Sequence, residues 1–115
     1  MLALVGTALL TVVTAAPADR YKLGTLEFAP CELSQLHSGA TTAAWCALFE
    51  VPENRTAPGG RKLALKLALI RSTAANPKPD PVVLLAGGPG QAATESYPQV
   101  AAALAPLLRH RDIVL

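Results

Sequence analysis

The sequence predicts an α/β fold in which antiparallel strands lead into a parallel βαβ unit. Three stretches carry that expectation. "VVLLA" (82–86) is apolar at every position, as in a strand covered on both faces. It passes through "GGPG" into the helix-like "TESYPQVAAALAPLLRHR", after which "DIVL" (112–115) opens a further apolar strand. Upstream, Leu63, Leu65, Leu67 and Leu69 recur at period two, the pattern of a half-buried strand. Strand, turn, helix and strand make a βαβ unit with 82–86 parallel to 112–115. Parallel sheets need helices on both faces, and the chain offers one good helix and a last strand at its final residue. Residues 19–115 are therefore expected to be the N-terminal part of a larger, truncated domain.

Composition narrows the function classes. Half of the 115 residues are hydrophobic and 16% are charged, which argues against intrinsic disorder. The net charge of +2 is scattered and aromatic residues make up 4%, so neither a phosphate-binding surface nor base-stacking platforms are present, and no nucleic-acid partner is expected. Ten prolines, about twice the usual ~5% share, imply many loops and strand ends.

The first eighteen residues, "MLALVGTALLTVVTAAPA", carry no charge and end in small residues. They read as a signal peptide, cleaved near Val13-Thr14-Ala15 or Ala16-Pro17-Ala18. The positive residues that usually precede such a segment are missing, so an uncleaved membrane anchor, with membrane association, is the other reading; a third is a buried element of the domain. Either of the first two places the protein outside the cell or in its envelope. "YKLGTLEFAP" reads as one short edge strand ending at Pro30, and "CELSQLHSGATTA" as a loop or short helical turn. "AWCALFEVP" is strand-like, with Trp45, Phe49 and Val51 as its bulk. "ENRTAPGG" is turn chemistry, so "RKLALKLALIRS" (61–72), whose leucines and alanines also suit a helix, is expected to be a strand paired antiparallel with 45–51. In the helix, Ser96 is the expected cap, with Glu95 at the positive end and Pro98 in the first turn. Val100, Leu104, Leu107 and Leu108 form the expected buried stripe, and Pro106 the expected kink.

Two cysteines, Cys31 and Cys46, lack the spacing of zinc or thioredoxin-type sites, and no metal is expected. A disulfide between them suits an oxidising compartment; two separate buried thiols are the alternative. Asn54-Arg55-Thr56 has the form of a glycosylation triplet and is read only as an exposed turn.

The glycine turn "GGPG" (87–90) has three chemical readings. A phosphate loop requires Gly-Lys-Ser/Thr, which is absent. A dinucleotide-binding turn matches loosely through Gly88-Pro89-Gly90-Gln91-Ala92-Ala93, with Asp112 at about the right distance. Asp112, however, precedes its strand, where a ribose-binding acid follows one, and Pro89 removes an amide; no cofactor is expected. In the third reading, backbone N–H groups at the strand tip stabilise the oxyanion of a tetrahedral intermediate. Glycines let a substrate carbonyl approach, and Pro89 stiffens the turn.

With "RDIVL" and the upstream "CALFEVPENRTAPGGRKLALKLALIRSTA", this turn resembles α/β-hydrolase fold serine peptidases related to prolyl aminopeptidase and tripeptidyl aminopeptidase, in particular their secreted branch. The likeness covers roughly residues 29–115. Ala86 stands where the family has His or Asn before Gly-Gly-Pro-Gly. The resemblance implies a serine hydrolase that removes residues or short peptides from peptide N-termini, or acts on small esters or amides. By position it makes Gly88 the oxyanion donor, Gly87 its neighbour or substitute, and Pro89 and Gly90 the supporting turn. The nucleophile elbow G-x-S-x-G and the triad are absent from this chain: Ser34, Ser38, Ser72 and Ser96 lack the elbow context, and His37 and His110 precede any elbow. The chain alone is therefore expected to be inactive. A small exported binding module complete at this length is the remaining alternative.

Overall fold

The computed structural model describes residues 20–35 and 37–115; the uncharged segment 1–18 lies outside them. Six strands and one helix follow in order: β1 (Tyr21–Leu23), β2 (Leu26–Ser34), β3 (Thr41–Pro52), β4 (Lys62–Ile70), β5 (Val82–Val83), α1 (Ala93–Leu108) and β6 (Ile113–Val114). The strands form one sheet in the order β1-β2-β3-β4-β6-β5.

This arrangement corrects the expected fold class. The molecule is mostly β, a mixed six-stranded sheet with one C-terminal helix among the described residues, and not the start of an α/β-hydrolase sheet built on a parallel βαβ layer. Long antiparallel strands set the architecture. The parallel contact is limited to Val82↔Ile113 and Val83↔Val114, whereas β6 also pairs antiparallel with β4 through Leu69↔Val114 and Ile70↔Ile113.

The first third of the chain also departs from expectation. "YKLGTLEFAP" is two strands, folded at Gly24-Thr25 with Leu23 opposite Leu26 and Gly24 at φ 60°. β2 runs through Pro30 to Ser34, so most of the expected loop from Cys31 onward is a β2–β3 hairpin, with Ser34 opposite Thr41. β1 pairs β2 only as far as Phe28, so the outer edge at Pro30 needs no ladder amide. Cys31 and Cys46 are joined by a disulfide, with Cα atoms 5.8 Å apart, linking β2 to β3. β4 pairs antiparallel with β3 from Trp45↔Leu69 to Pro52↔Lys62, the pairing that the intervening turn residues imply.

The register sorts the sheet into two faces. Cys31, Leu33, Ala44, Ala68, Ile70, Ile113 and Leu115 face α1 and form the main core with Tyr97. The helix meets them with Thr94, Tyr97, Ala101, Leu104 and Leu108, spaced alternately by three and four residues. Val100 and Leu107, expected in that stripe, are 41% and 39% exposed. Ser96 does not cap the helix: it lies within it, and its hydroxyl donates to the Ala92 carbonyl at 2.9 Å. Ala92 is the cap residue, Glu95 falls in the first turn as expected, and Pro98 and Pro106 both lie inside the helix.

Leu63, Leu65, Leu67 and Leu69 stand on the opposite face, across from Val51, Phe49, Ala47 and Trp45. A smaller cluster of Phe28, Ala47 and Leu69 covers one end of this face, flanked by Tyr21, Trp45, Leu67 and Val114. Leu65 and Phe49 remain exposed, as do Val83 and Leu85 at 59% and 86%. The five apolar residues after Pro81 are thus covered on one face only: Val82 and Leu84 join the core and their neighbours stay open.

Candidate functional site

The glycine turn leaves the extended segment after β5 and delivers the chain to the start of α1. The Val82 and Leu84 amides donate to the carbonyls of Asp112, just before β6, and of Val114 in β6, at 2.9 and 2.8 Å, which fixes the segment up to the turn. Residues 85–91 are all exposed. Gly88 and Gly90 take φ of 114° and 86°, a backbone region L-residues rarely adopt, so the turn itself requires glycine there. Gly87 has no such requirement, and a Cβ at 87 or at 88 would meet nothing within 4 Å. Among the described residues, neither the Gly87 nor the Gly88 N–H donates a hydrogen bond to the chain. Pro89, between the two positive-φ glycines, has no N–H and restricts the turn.

The other candidates are dispersed. The Ser72 hydroxyl donates to the Leu108 carbonyl at 2.7 Å and Ser96 to Ala92, so both are engaged in local structure. Ser38 donates to Gln35 in an exposed loop, and His37 is exposed beside it. His110 follows α1, exposed, with its amide on the Leu107 carbonyl at 3.0 Å. Among the described residues, no serine and histidine side chains share a hydrogen bond, and no three of His, Cys, Asp and Glu gather as metal ligands. Asp112, the acid of the dinucleotide reading, is committed elsewhere: it accepts from the Ser72 amide at 2.7 Å and lies 3.4 Å from the Arg71 Nε.

A second site was not anticipated from the sequence. At the other end of β5, before Val82, a cleft of about 240 Å³ opens between the proline-rich loop 77–81 and the face of the sheet opposite α1. Tyr21, Leu69 and Val114 form part of its lining, together with Arg71, Lys78 and Asp112. The Arg71 guanidinium lies over the Tyr21 ring, 4.4 Å from its centroid. Asp80, in the same loop, is bound by the Arg111 side chain instead. Its own backbone amide, and then Arg111, hold the Asp80 carboxyl below the ordinary value of 3.8. Arg71 and Tyr21, which meet beside this loop, are 50 residues apart in the chain, and no local pattern marks their meeting.

Beneath α1, Tyr97 is fully buried, and its hydroxyl has no hydrogen-bond partner among the described residues. Burial raises the phenol pKa above 10.0. No family model, curated protein or solved structure matches the chain.

Proposed function

We propose that this chain supplies the oxyanion-binding turn of an exported serine hydrolase that releases residues or short peptides from peptide N-termini, with the nucleophile carried by chain outside residues 1–115. One observation carries the reading: the Gly87 and Gly88 amides are exposed and have no acceptor among the described residues. Position 87 is the more telling of the two. Neither backbone conformation nor packing requires glycine there, and the missing side chain leaves its amide open to a group approaching from outside. A substrate carbonyl reaching these amides becomes an oxyanion during acyl transfer, and fixed N–H donors stabilise it without reorganising. Pro89 and Gly90 hold the turn in shape. The Cys31–Cys46 disulfide agrees with an oxidising destination. Among the described residues no serine and histidine side chains share a hydrogen bond, and the proposal therefore assigns to the turn the oxyanion half of the site alone.

The test uses residues 1–115 together with the nucleophile-bearing chain that the proposal requires. It is expected to cleave aminoacyl- or tripeptidyl-anilides and to be labelled on serine by a fluorophosphonate. Replacing the Gly88 amide by an ester, which removes the N–H and keeps the φ freedom, is expected to lower kcat about 100- to 1,000-fold with little change in KM. Absence of both anilide cleavage and serine labelling would overturn the proposal.

A further inference from the structure

We infer that the cleft at the start of β5 is a binding site for a small apolar monocarboxylate, separate from the glycine turn. Its charge balance points to an anion. Three charged groups line it: Arg71, Lys78 and Asp112. Asp112 is already engaged by the Ser72 amide and by Arg71. Asp80, the acid next to Lys78 in the loop, is held by Arg111. Among the described residues, the Arg71 Nη groups and the Lys78 Nζ therefore have no acceptor of their own. The Tyr21 ring under the guanidinium and the Asp112 carboxylate beside its Nε hold the Arg71 side chain in place, so its remaining donors are positioned before a ligand arrives.

The rest of the lining asks for an apolar body. Leu69 and Val114 come from the sheet, and Pro77, Pro79 and Pro81 from the loop. Prolines present rigid C–H surface with no N–H to satisfy. At the ~30 Å³ that a water molecule takes in the liquid, the space admits about eight non-hydrogen atoms. A six-carbon carboxylate has that size, and its carboxylate can take two parallel N–H donors from a guanidinium.

The experiment titrates the protein with hexanoate, following amide NMR shifts, with hexanol and hexylammonium as controls. Saturable shifts at Leu69, Arg71 and Val114 are expected, with a Kd on the order of a millimolar for so small a ligand. Hexanol is expected to bind at least tenfold more weakly, and hexylammonium to give no saturable shift. Arg71→Gln is expected to weaken hexanoate about tenfold, and Lys78→Gln, in an exposed loop where the fold is insensitive, about threefold. Equal binding of the three compounds, no saturation by hexanoate, or unchanged affinity in a folded Lys78→Gln protein would each overturn the assignment. Anilide cleavage plays no part in this readout, so its outcome is independent of the proposed hydrolase.

Discussion

At Gly88 an added methyl group would meet open space, yet it would hold an L-residue at φ 114°. Gly88→Ala is expected to cost about 1–3 kcal/mol through backbone strain alone, read as a lower urea midpoint. Gly87→Ala meets neither obstacle and is expected to change stability by less than about 0.5 kcal/mol. The pair separates what the turn needs from what its surroundings need. Tyr97 gives a pH-dependent counterpart. Its phenol is raised by burial, so the folded protein holds the proton after the unfolded chain has lost it. Below pH 10.0 both states are protonated and this group contributes no slope; above it stability falls as pH rises. Tyr97→Phe is expected to remove that alkaline loss and to be neutral or stabilising at pH 7, since it deletes a buried hydroxyl with no partner among the described residues. Thermal melts at pH 7 and pH 11 check both. Asp80 behaves in the opposite sense: its lowered carboxyl favours the folded state above the ordinary value of 3.8, an advantage lost as pH falls through the folded value. Arg111→Gln should move its NMR-titrated midpoint upward.

Among the elements, β4 was the most legible, and α1 was expected where it lies but with only part of its contacting stripe. Leucines at period two fit a strand, although leucine and alanine also suit a helix, and the turn residues before them decide for a strand and its antiparallel partner. Which side of that strand would be buried was not legible: side is set by the β4–β6 register and by where α1 lands, both long-range. β2 was cut short in the reading because Pro30 usually ends a strand; it persists here because β1 has already stopped. In α1, Leu104 and Leu108 of the expected stripe do meet the sheet while Val100 and Leu107 do not, and the rest of the contacting stripe is Thr94, Tyr97 and Ala101, smaller or more polar residues that lie close to the sheet. The prolines offer a test at this scale. Pro106 lies near the exposed end of α1 and denies the helix one hydrogen bond. Pro106→Ala is expected to stabilise by up to about 3 kcal/mol, seen as a higher melting temperature and greater helicity.

For the molecule as a whole, the disulfide is the cross-link between β2 and β3, closing a separation of 15 residues. On the chain-entropy model a loop of that size is worth about 3 kcal/mol, so reduction, or the double change Cys31→Ala and Cys46→Ala, is expected to lower unfolding free energy by that amount. The glycine turn's place between strand and helix could be read from sequence because it is local: β5, GGPG and α1 follow one another in the chain. The fold class could not, because adjacency of β4 to β6 and shortness of the parallel contact are decided by residues far apart in the chain.

The leucine row has a practical corollary. With α1 on one side of the sheet only, Leu65, Phe49 and Leu85 meet water directly, and sulfate, which is excluded from such surface, should drive molecules together. Light scattering against ammonium sulfate would register this as clouding at a low salt concentration. Leu65→Ser with Leu85→Ser should postpone the clouding and leave the melting curve nearly where it was.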